Sequence, residues 1–135
     1  MSDWNDKIIA EFRANDGKVG GHFEGYTLLL LHTTGAKSGK ERVNPLMCYA
    51  DGDRYVVVAS KAGAPSHPDW YHNIVAHPEV SVEVGTEHFD ALATIADEPE
   101  RTELYSKMES ISSGFTEYKN KADRVIPVII LTRKD

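Results

Sequence analysis

Three cations in one short, glycine-punctuated stretch are the residues best suited to chemistry. Lys37, Lys40 and Arg42 lie within residues 33–45, opposed there only by Glu41, although the whole chain has a formal net charge of -6 at pH 7. Ammonium and guanidinium groups donate charge-assisted hydrogen bonds to phosphate and carboxylate oxygens. The stretch therefore predicts an anion-binding loop, with a solvated hairpin loop as the alternative. It is not a Walker A loop, since GxxxxGK[ST] is absent.

The composition fits one globular domain spanning residues 1–135. With 41% hydrophobic and 27% charged residues, the chain can bury a core of its own. Its acidic balance argues against nucleic acid as the main partner. We expect a cytoplasmic protein, because the sequence shows neither a basic-then-apolar leader nor an apolar run of membrane-spanning length.

Other catalytic patterns are weak in this sequence. The single cysteine, Cys48, lies in an apolar run, which indicates a buried small hydrophobe rather than a catalytic thiol. The six histidines lack the i, i+4 spacing of a helical zinc site, so no metal is expected. Serines occur without GxSxG, and no Ser, His and acid ordering indicates a hydrolase triad.

The N-terminal stretch, residues 3–15, is predicted to form an amphipathic helix. Trp4, Ile8 and Phe12 recur there at four-residue spacing and would lie on one face. We expect that face to pack on the rest of the domain. Contact with a membrane surface, which would make the protein membrane-associated, is the less favoured alternative.

Short apolar runs predict the remaining elements. The six predicted strands are residues 26–33, 43–50, 54–60, 80–84, 89–96 and 125–132. Asp69 is predicted to cap a short helix that runs to Ala76, Asp97 is predicted to begin another, and a shorter segment follows around residues 115–122. Because most strands are consecutive and joined by tight turns, we predict an α+β fold. About six mostly antiparallel strands would form a barrel or half-barrel with flanking helices.

A hairpin is predicted between the second and third strands, at the Asp-Gly pair of residues 51–52. Residues equidistant from the turn would pair, so residues 43–45 would lie near residues 58–61. Lys61 would then lie beside Arg42, and two cationic stretches would converge on one anionic ligand. Pro45 lacks an N–H and is predicted at a sheet edge, a bulge or a strand start.

Several segments, taken in order, resemble one known family. They read TTGAKSGKERVNPLM, then DGDRYVVVASKAGAPSHPDWYHNIVAHPEVSVEV, then RVIPVIIL. They are similar to the deazaflavin-dependent nitroreductase family, also described as F420H2-dependent quinone reductases. The resemblance implies a split β-barrel related to flavin-binding reductases and oxidases. It also implies a cofactor, coenzyme F420, which is an 8-hydroxy-5-deazaflavin carrying a phosphate and an oligoglutamate tail.

The activity implied by the resemblance is that of an oxidoreductase. It would transfer a hydride from reduced F420 to a small-molecule acceptor, namely a quinone or another conjugated, unsaturated or nitro compound. An FMN-dependent reductase of the same barrel class is one alternative. A non-catalytic module that binds F420 or a lipid-like anion is another.

The resemblance also implies the residues of the site. By position in the quoted motifs, the cofactor-binding residues would be Ala36, Lys37, Ser38, Arg42, Val43, Asn44, Pro45, Leu46, Met47, Val58, Ala59, Ser60, Lys61, Asp69, Trp70, Tyr71, His72 and Asn73. The cations and Ser38 would face the phosphate and glutamate carboxylates, and the strand residues would line the deazaflavin. Family members often carry arginine where this chain has Ala36, so one contact with the tail would be missing.

The acceptor would lie against a second set of residues, Met47, Ser112, Phe115 and Tyr118. Nitroimidazole-reducing members have a tyrosine-rich wall there, whereas only Tyr118 keeps a hydroxyl in this chain. Ser60 and Tyr118 are the candidate catalytic residues, as proton or hydrogen-bond donors to the acceptor oxygen.

Overall fold

The computed structural model describes residues 3–23, 25–63, 66–122 and 124–134. The helices are α1 (Asp3–Ala14), α2 (Asp69–Ala76), α3 (Glu100–Ile111) and α4 (Gly114–Lys121), with 3-10 turns at Gly21–Phe23 and Lys61–Gly63. The strands are β1 (Leu28–Thr34), β2 (Glu41–Met47), β3 (Tyr49–Asp51), β4 (Arg54–Val58), β5 (Glu79–Val84), β6 (Glu87–Ile95) and β7 (Val128–Arg133). None of the helices in these ranges exceeds 12 residues, and none could span a membrane.

The strands form one curled sheet in the order β2-β1-β5-β6-β7-β4-β3, with every described pair antiparallel. Its two edge strands, β2 and β3, are separated in the chain by Cys48 alone. Since one residue cannot cross an open sheet, the two edges must lie close together and the sheet must curl. The predicted α+β half-barrel of mostly antiparallel strands with flanking helices is confirmed. Its sheet has seven strands within the described ranges, where six were predicted.

The predicted pairing of the second strand is wrong. The run predicted over residues 43–50 divides at Cys48, and its larger part, β2, pairs with β1, so that Met47 lies opposite Leu28. The turn at residues 51–53 joins β3 to β4 as predicted, but Val58 at the end of β4 pairs with Val128 of β7. The ladder therefore does not bring Lys61 beside Arg42. Turn residues indicate where a hairpin bends, but they do not indicate how many residues pair on either side of the turn. Here only three residue pairs form between β3 and β4, and β2 pairs along its whole length with β1.

Strand β1 is buried on both faces, which explains its unbroken leucine run. Leu29 and Leu31 point into a cluster built from five strands and α2, which is the interior of the curl. Leu28 and Leu30 point outward and pack with Phe12 of α1. Pro45 lies on β2, an edge strand of the sheet, which is one of the three positions predicted for it.

Helix α1 packs on the barrel, as expected for the helix predicted over residues 3–15. Phe12 is 1% exposed and Ile9 is 8% exposed, whereas the side chain of Trp4 lies outside the described part of the structure. Gly17, after the helix, has a φ of +92°, and a Cβ there would lie 2.6 Å from the Cα of Gly85 in the β5–β6 turn. The backbone that follows the C-terminus of α1 thus lies directly against the β5–β6 turn of the sheet.

Two predicted helix starts are displaced. Asp69 was predicted to cap α2, but it is the first helical residue and Pro68 occupies the cap position. Asp97 was predicted to begin α3, which starts at Glu100 with Pro99 at its cap position. At the start of α3, Glu98 accepts hydrogen bonds from the backbone N–H and the hydroxyl of Thr102, at 3.0 and 2.7 Å. The side chain that satisfies a helix terminus is decided by local geometry rather than by residue type alone.

Candidate functional site

The predicted anion-binding residues lie on the loop that closes the β1–β2 hairpin. We call residues 35–42 the cationic loop. The N–H of Gly35 donates to the carbonyl of Lys40 at 2.7 Å, and the N–H of Lys40 donates to the Ser38 hydroxyl at 3.2 Å. Ala36, Lys37, Ser38 and Arg42 are all exposed. The loop is therefore a hydrogen-bonded turn that holds its side chains toward solvent.

Among the described residues, no carboxylate forms an ion pair with the cations of this loop. Four of the six arginines form ion pairs with carboxylates, namely Arg13, Arg54, Arg101 and Arg133, and a fifth, Arg124, binds backbone carbonyls. Arg42 has no such partner among the described residues, and neither do Lys37 and Lys40. In a chain of net charge -6, this surface is suited to an anionic ligand.

Helix α2 is fastened to the cationic loop by Asn73, which is 7% exposed. Its Oδ1 accepts a hydrogen bond from the N–H of Ala36 at 3.0 Å, and its Nδ2 donates to Thr33 Oγ1 at 3.1 Å. Thr33 in turn lies opposite Arg42 in the β1–β2 ladder. One buried amide thus fixes the base of the loop against α2, and a buried amide requires such partners.

The second cationic stretch, which carries Lys61, lies next to the start of α2. We call residues 59–67, of which the structure describes 59–63 and 66–67, the cofactor turn, after the role that the family resemblance implies for them. Lys61 is exposed and its ammonium donates to Ser66 Oγ at 3.3 Å. The ring of His67 lies 4.5 Å from the ring of Tyr71 in α2, measured between centroids. Both cationic stretches therefore contact α2. The two stretches are connected through this helix and not through pairing of β2 with β4.

Two residues that sequence reasoning missed organise the cofactor turn. Arg124 Nη2 donates to the carbonyls of Ala59, Ser60 and Ser66 at 3.1, 3.1 and 3.0 Å, and its Nη1 lies 2.9 Å from His67 Nδ1. A guanidinium can only donate, so Nδ1 accepts and the proton of neutral His67 is on Nε2. Burial, followed by the charge of Arg124, lowers the pKa of His67. Both residues lie within the segments that carry the family resemblance, which was the available signal.

Several predicted site residues face the core. Trp70 is 5% exposed and packs in the barrel interior, where Ala59 is also buried. Phe115 is 6% exposed, and its carbonyl accepts a 2.7 Å hydrogen bond from the hydroxyl of Tyr105. Tyr118, half-buried, lies edge-on to Phe115 with ring centroids 5.8 Å apart. On this side the more accessible ring is therefore that of Tyr118, with Phe115 behind it.

The predicted residues on β2 are divided between two faces. Val43 and Met47 pack toward α1, whereas Leu46 packs toward the barrel interior, as strand alternation requires. Arg42 and Met47 lie at opposite ends of the strand, about 17 Å apart along it. An edge strand of this length suits an elongated ligand whose anionic end lies at the cationic loop.

The remaining predicted residues follow from these elements. Val58 ends β4 and Ser60 lies near the start of the cofactor turn, each 7% exposed. Asp69 and His72 are exposed on α2, while Asn44 and Ser112 are half-buried. Burial raises the pKa of the Cys48 thiol to about 12, so Cys48 is no nucleophile.

The fold and the site together define a class of protein, a split β-barrel with a cationic surface that suits an anionic ligand. A solved F420-H2 dependent reductase, FDR-A, is 41% identical, with a TM-score of 0.73 over 83% of this chain and 99% of that one. A second solved structure, described as a domain-swapped dimer, is 36% identical, with a TM-score of 0.74 over 96% and 97%. The heme storage protein HutZ of Vibrio cholerae shares the fold at 18% identity and a TM-score of 0.61.

The family model of the F420H(2)-dependent quinone reductases matches residues 4–133. An F420H(2)-dependent quinone reductase of Mycobacterium tuberculosis is 39% identical over 129 residues, which cover 93% of this chain and 87% of the relative. A putative F420H(2)-dependent quinone reductase of the same organism is 35% identical over 78% of this chain and 87% of its own. The chain belongs to the F420H(2)-dependent quinone reductase family. The predicted resemblance, the enzyme class and the cofactor, coenzyme F420, are thereby confirmed.

Proposed function

We propose that this F420H2-dependent reductase binds its cofactor across the cationic loop, α2 and the cofactor turn, and passes a hydride to a flat, apolar acceptor. The observation that carries the proposal is the set of uncompensated cations. Arg42, Lys37 and Lys40 lack carboxylate partners among the described residues, while four other arginines have them. Free cations on an acidic protein are suited to an anion supplied from outside.

The anionic end of F420 matches this surface. Its phosphate and several glutamate carboxylates need multiple donors, which Lys37, Ser38, Arg42 and Lys61 can provide around α2. FMN has one phosphate and needs fewer partners. The number and spread of the donors therefore favour F420 over FMN.

The deazaflavin end would lie along the free edge of β2 and the end of β4. When bound, reduced F420 supplies the hydride, and the protein supplies orientation and a site from which water is excluded. A quinone that accepts this hydride also takes up one proton and becomes a hydroquinone. The hydroxyls of Ser60 and Tyr118 are the proposed donors to the acceptor oxygen.

The acceptor would lie beside Met47, Ser112 and Tyr118, with Phe115 behind Tyr118. Met47 is half-buried and touches both the α1 cluster and the cluster under α3 and α4. Polar groups of an acceptor placed against this thioether would lose water without gaining a hydrogen bond. A flat hydrocarbon ring is therefore preferred.

This preference predicts a substrate ranking. Menadione should be reduced with at least about tenfold higher kcat/KM than a nitroimidazole, and Met47→Gln should narrow that gap. Leu92→Gln, on an exposed β6 position, is the matched control and should leave the ranking unchanged. Equal efficiency on the two acceptors in the native protein would place the acceptor elsewhere.

The cofactor proposal is tested by fluorescence titration of the purified protein with F420 and with FMN, followed by turnover. We expect micromolar or tighter F420 binding that weakens as salt rises, and hydride transfer from reduced F420 to menadione. Tight FMN binding with no F420 binding would reject the proposal in favour of a flavin reductase. F420 binding without turnover on any acceptor would indicate a binding module.

A further inference from the structure

Arg124 lies in the connection between α4 and β7, outside the segments that carry the proposed cofactor site. Its side chain nevertheless reaches the cofactor turn and donates to three backbone carbonyls, those of Ala59, Ser60 and Ser66, at 3.0–3.1 Å. It also donates to His67 Nδ1 at 2.9 Å. One guanidinium thus binds four acceptors that lie between Ala59 and His67.

The orientation of these carbonyls determines the orientation of neighbouring N–H groups. In a trans peptide the C=O and the N–H point in opposite directions. The carbonyls of Ala59 and Ser60 point at Arg124, so the N–H groups of Ser60 and Lys61 point away from it. Neither N–H has an acceptor within the part of the chain that the structure describes.

The backbone at Lys61 adds to this arrangement. Lys61 has a φ of +49°, a left-handed conformation that a residue other than glycine adopts only when its surroundings impose it. The N–H of Gly63 donates to the carbonyl of Ser60 at 3.0 Å, and a Cβ at Gly63 would lie 3.1 Å from the side chain of Lys121 on α4. The turn is therefore held from one side, by Arg124 and α4. Its unpaired N–H groups and the exposed Lys61 remain for a ligand.

We propose that Arg124 is a positioning residue for the cofactor: it draws the carbonyls of the cofactor turn to one side, so that the N–H groups of Ser60 and Lys61 are presented to the anionic part of F420. The inference rests on the proposed function for the identity of the ligand. Two adjacent N–H groups next to an ammonium form an anion-binding surface. Arg124 acts on binding through the turn, without touching the ligand itself.

Arginine is required for this role because of its geometry. Its planar guanidinium offers five donors in a fixed arrangement, whereas an ammonium offers three donors from one atom. Arg124→Lys keeps the charge but offers one nitrogen in place of Nη1 and Nη2, so it cannot contact the carbonyls and His67 Nδ1 from two separate atoms. Arg101→Lys is the matched control, since Arg101 donates to the carbonyl of Ile126 at 3.0 Å in the same connection and pairs with Glu98.

The experiment compares the native protein with these two variants. Amide hydrogen exchange in the cofactor-free protein measures the order of residues 59–67, and fluorescence titration measures the Kd for F420. For Arg124→Lys we expect faster exchange confined to this turn, F420 binding weaker by about tenfold or more, and kcat at saturating reduced F420 within about threefold of native. Arg101→Lys should leave the Kd within about twofold, whatever its effect on thermal stability.

A double-mutant cycle tests whether Arg124 acts through the turn. If it does, Lys61→Ala should weaken F420 binding less in the Arg124→Lys background than in the native protein. Additive losses, or exchange of residues 59–67 unchanged by Arg124→Lys, would overturn the inference. Failure of the native protein to bind F420 would instead overturn the proposed function. Should Arg124→Lys not fold, the same measurements on Arg124→Gln decide.

Discussion

Arg42 and Lys61 are two cations that the sequence predicts to bind an anionic ligand, and the structure leaves both side chains exposed. Each is exposed, and neither forms an ion pair within the described residues. Since they contribute little to the folded protein, their charge is available to a ligand. Removal of either side chain should therefore weaken F420 binding and leave the stability of the folded protein nearly unchanged.

The first prediction concerns these two cations. Arg42→Ala and Lys61→Ala should each weaken F420 binding by about 1.5–3 kcal/mol, because each removes a charge-assisted hydrogen bond. The midpoint of thermal unfolding should hardly change. Fluorescence titration and thermal unfolding measure the two quantities, and Lys7→Ala, an exposed cation on α1, is the control. A variant that lost stability but kept full affinity would be structural.

A second residue-scale feature is the partly buried ion-pair cluster between α1 and the sheet. Glu83 accepts from Arg13 Nη2 at 2.7 Å and lies 2.6 Å from His32 Nε2. The hydrogen bond from Arg13, opposed by burial and assisted by His32, lowers the pKa of Glu83 from 4.5 to about 2. A carboxyl whose pKa is lowered by folding stabilises the protein above its unfolded pKa. That stabilisation is lost as the pH falls from about 4.5 toward 2.

The second prediction follows from this sign. Glu83→Gln should reduce the free energy of unfolding at pH 7 by about 2 kcal/mol, a figure discounted because Arg13 is half exposed. The variant should also lose less stability than the native protein between pH 5 and pH 2. Urea unfolding across this range measures both effects. Glu79→Gln, on the same strand but with an exposed carboxyl, should change the free energy of unfolding little. Equal losses of stability in the two variants would contradict a stabilising role for the Arg13, Glu83 and His32 cluster.

At the scale of elements, α2 determines the geometry of the candidate site. It contacts the cationic loop through Asn73 and the cofactor turn through Tyr71, so both cationic stretches take their positions from one short helix. Its inner face, with Trp70 and Ile74, is buried in the barrel interior. The helix is thus fixed by the core on one side and positions the ligand-binding loops on the other.

The third prediction tests this coupling. Asn73→Ala leaves the N–H of Ala36 and the hydroxyl of Thr33 without their partner, and should cost about 1–3 kcal/mol of stability. F420 affinity should fall as well, because the base of the cationic loop loosens. Chemical unfolding and F420 titration are the measurements. Val75→Ala, an exposed position on the same helix, is the control and should be near neutral in both. Unchanged affinity in Asn73→Ala would mean that the loop keeps its conformation without α2.

At the scale of the whole molecule, the barrel depends on α1. The outer face of β1 would be exposed without this helix, since Leu28 and Leu30 pack against Phe12 and Ile9. The backbone after the C-terminus of the helix, at Gly17, also packs against Gly85 in the β5–β6 turn. Helix α1 is therefore an integral part of the core and covers one wall of the barrel.

The fourth prediction follows from that packing. Phe12→Ala should destabilise the protein by about 3–5 kcal/mol, because it opens a cavity at a site only 1% exposed. Ile8→Ala, at a half-buried position on the same helix, should have a smaller effect. Urea unfolding gives both values. A Phe12 variant as stable as the native protein would contradict an integral role for α1.

The sequence by itself determined most of the elements and the charge of the cationic loop. Hydrophobic periodicity, turn residues and the absence of an N–H in Pro45 are local properties. Most of the strands, the α2 helix and the restriction of Pro45 to an edge, a bulge or a strand start followed from them. The family resemblance followed as well, because its motifs are runs of neighbouring residues. The predicted roles of individual site residues remain predictions.

Only the tertiary structure decided which elements meet. The choice of β1 as the partner of β2, rather than an extended pairing with β4, depends on closure of the whole sheet around Cys48. Arg124 and the carbonyls that it binds are 58 to 65 residues apart in the chain. The apolar residues Trp70 and Phe115 could equally have faced a ligand, and packing directed both into the core. Such contacts depend on the three-dimensional path of the backbone, because a side chain's acceptors and neighbours are supplied by segments far away in the sequence.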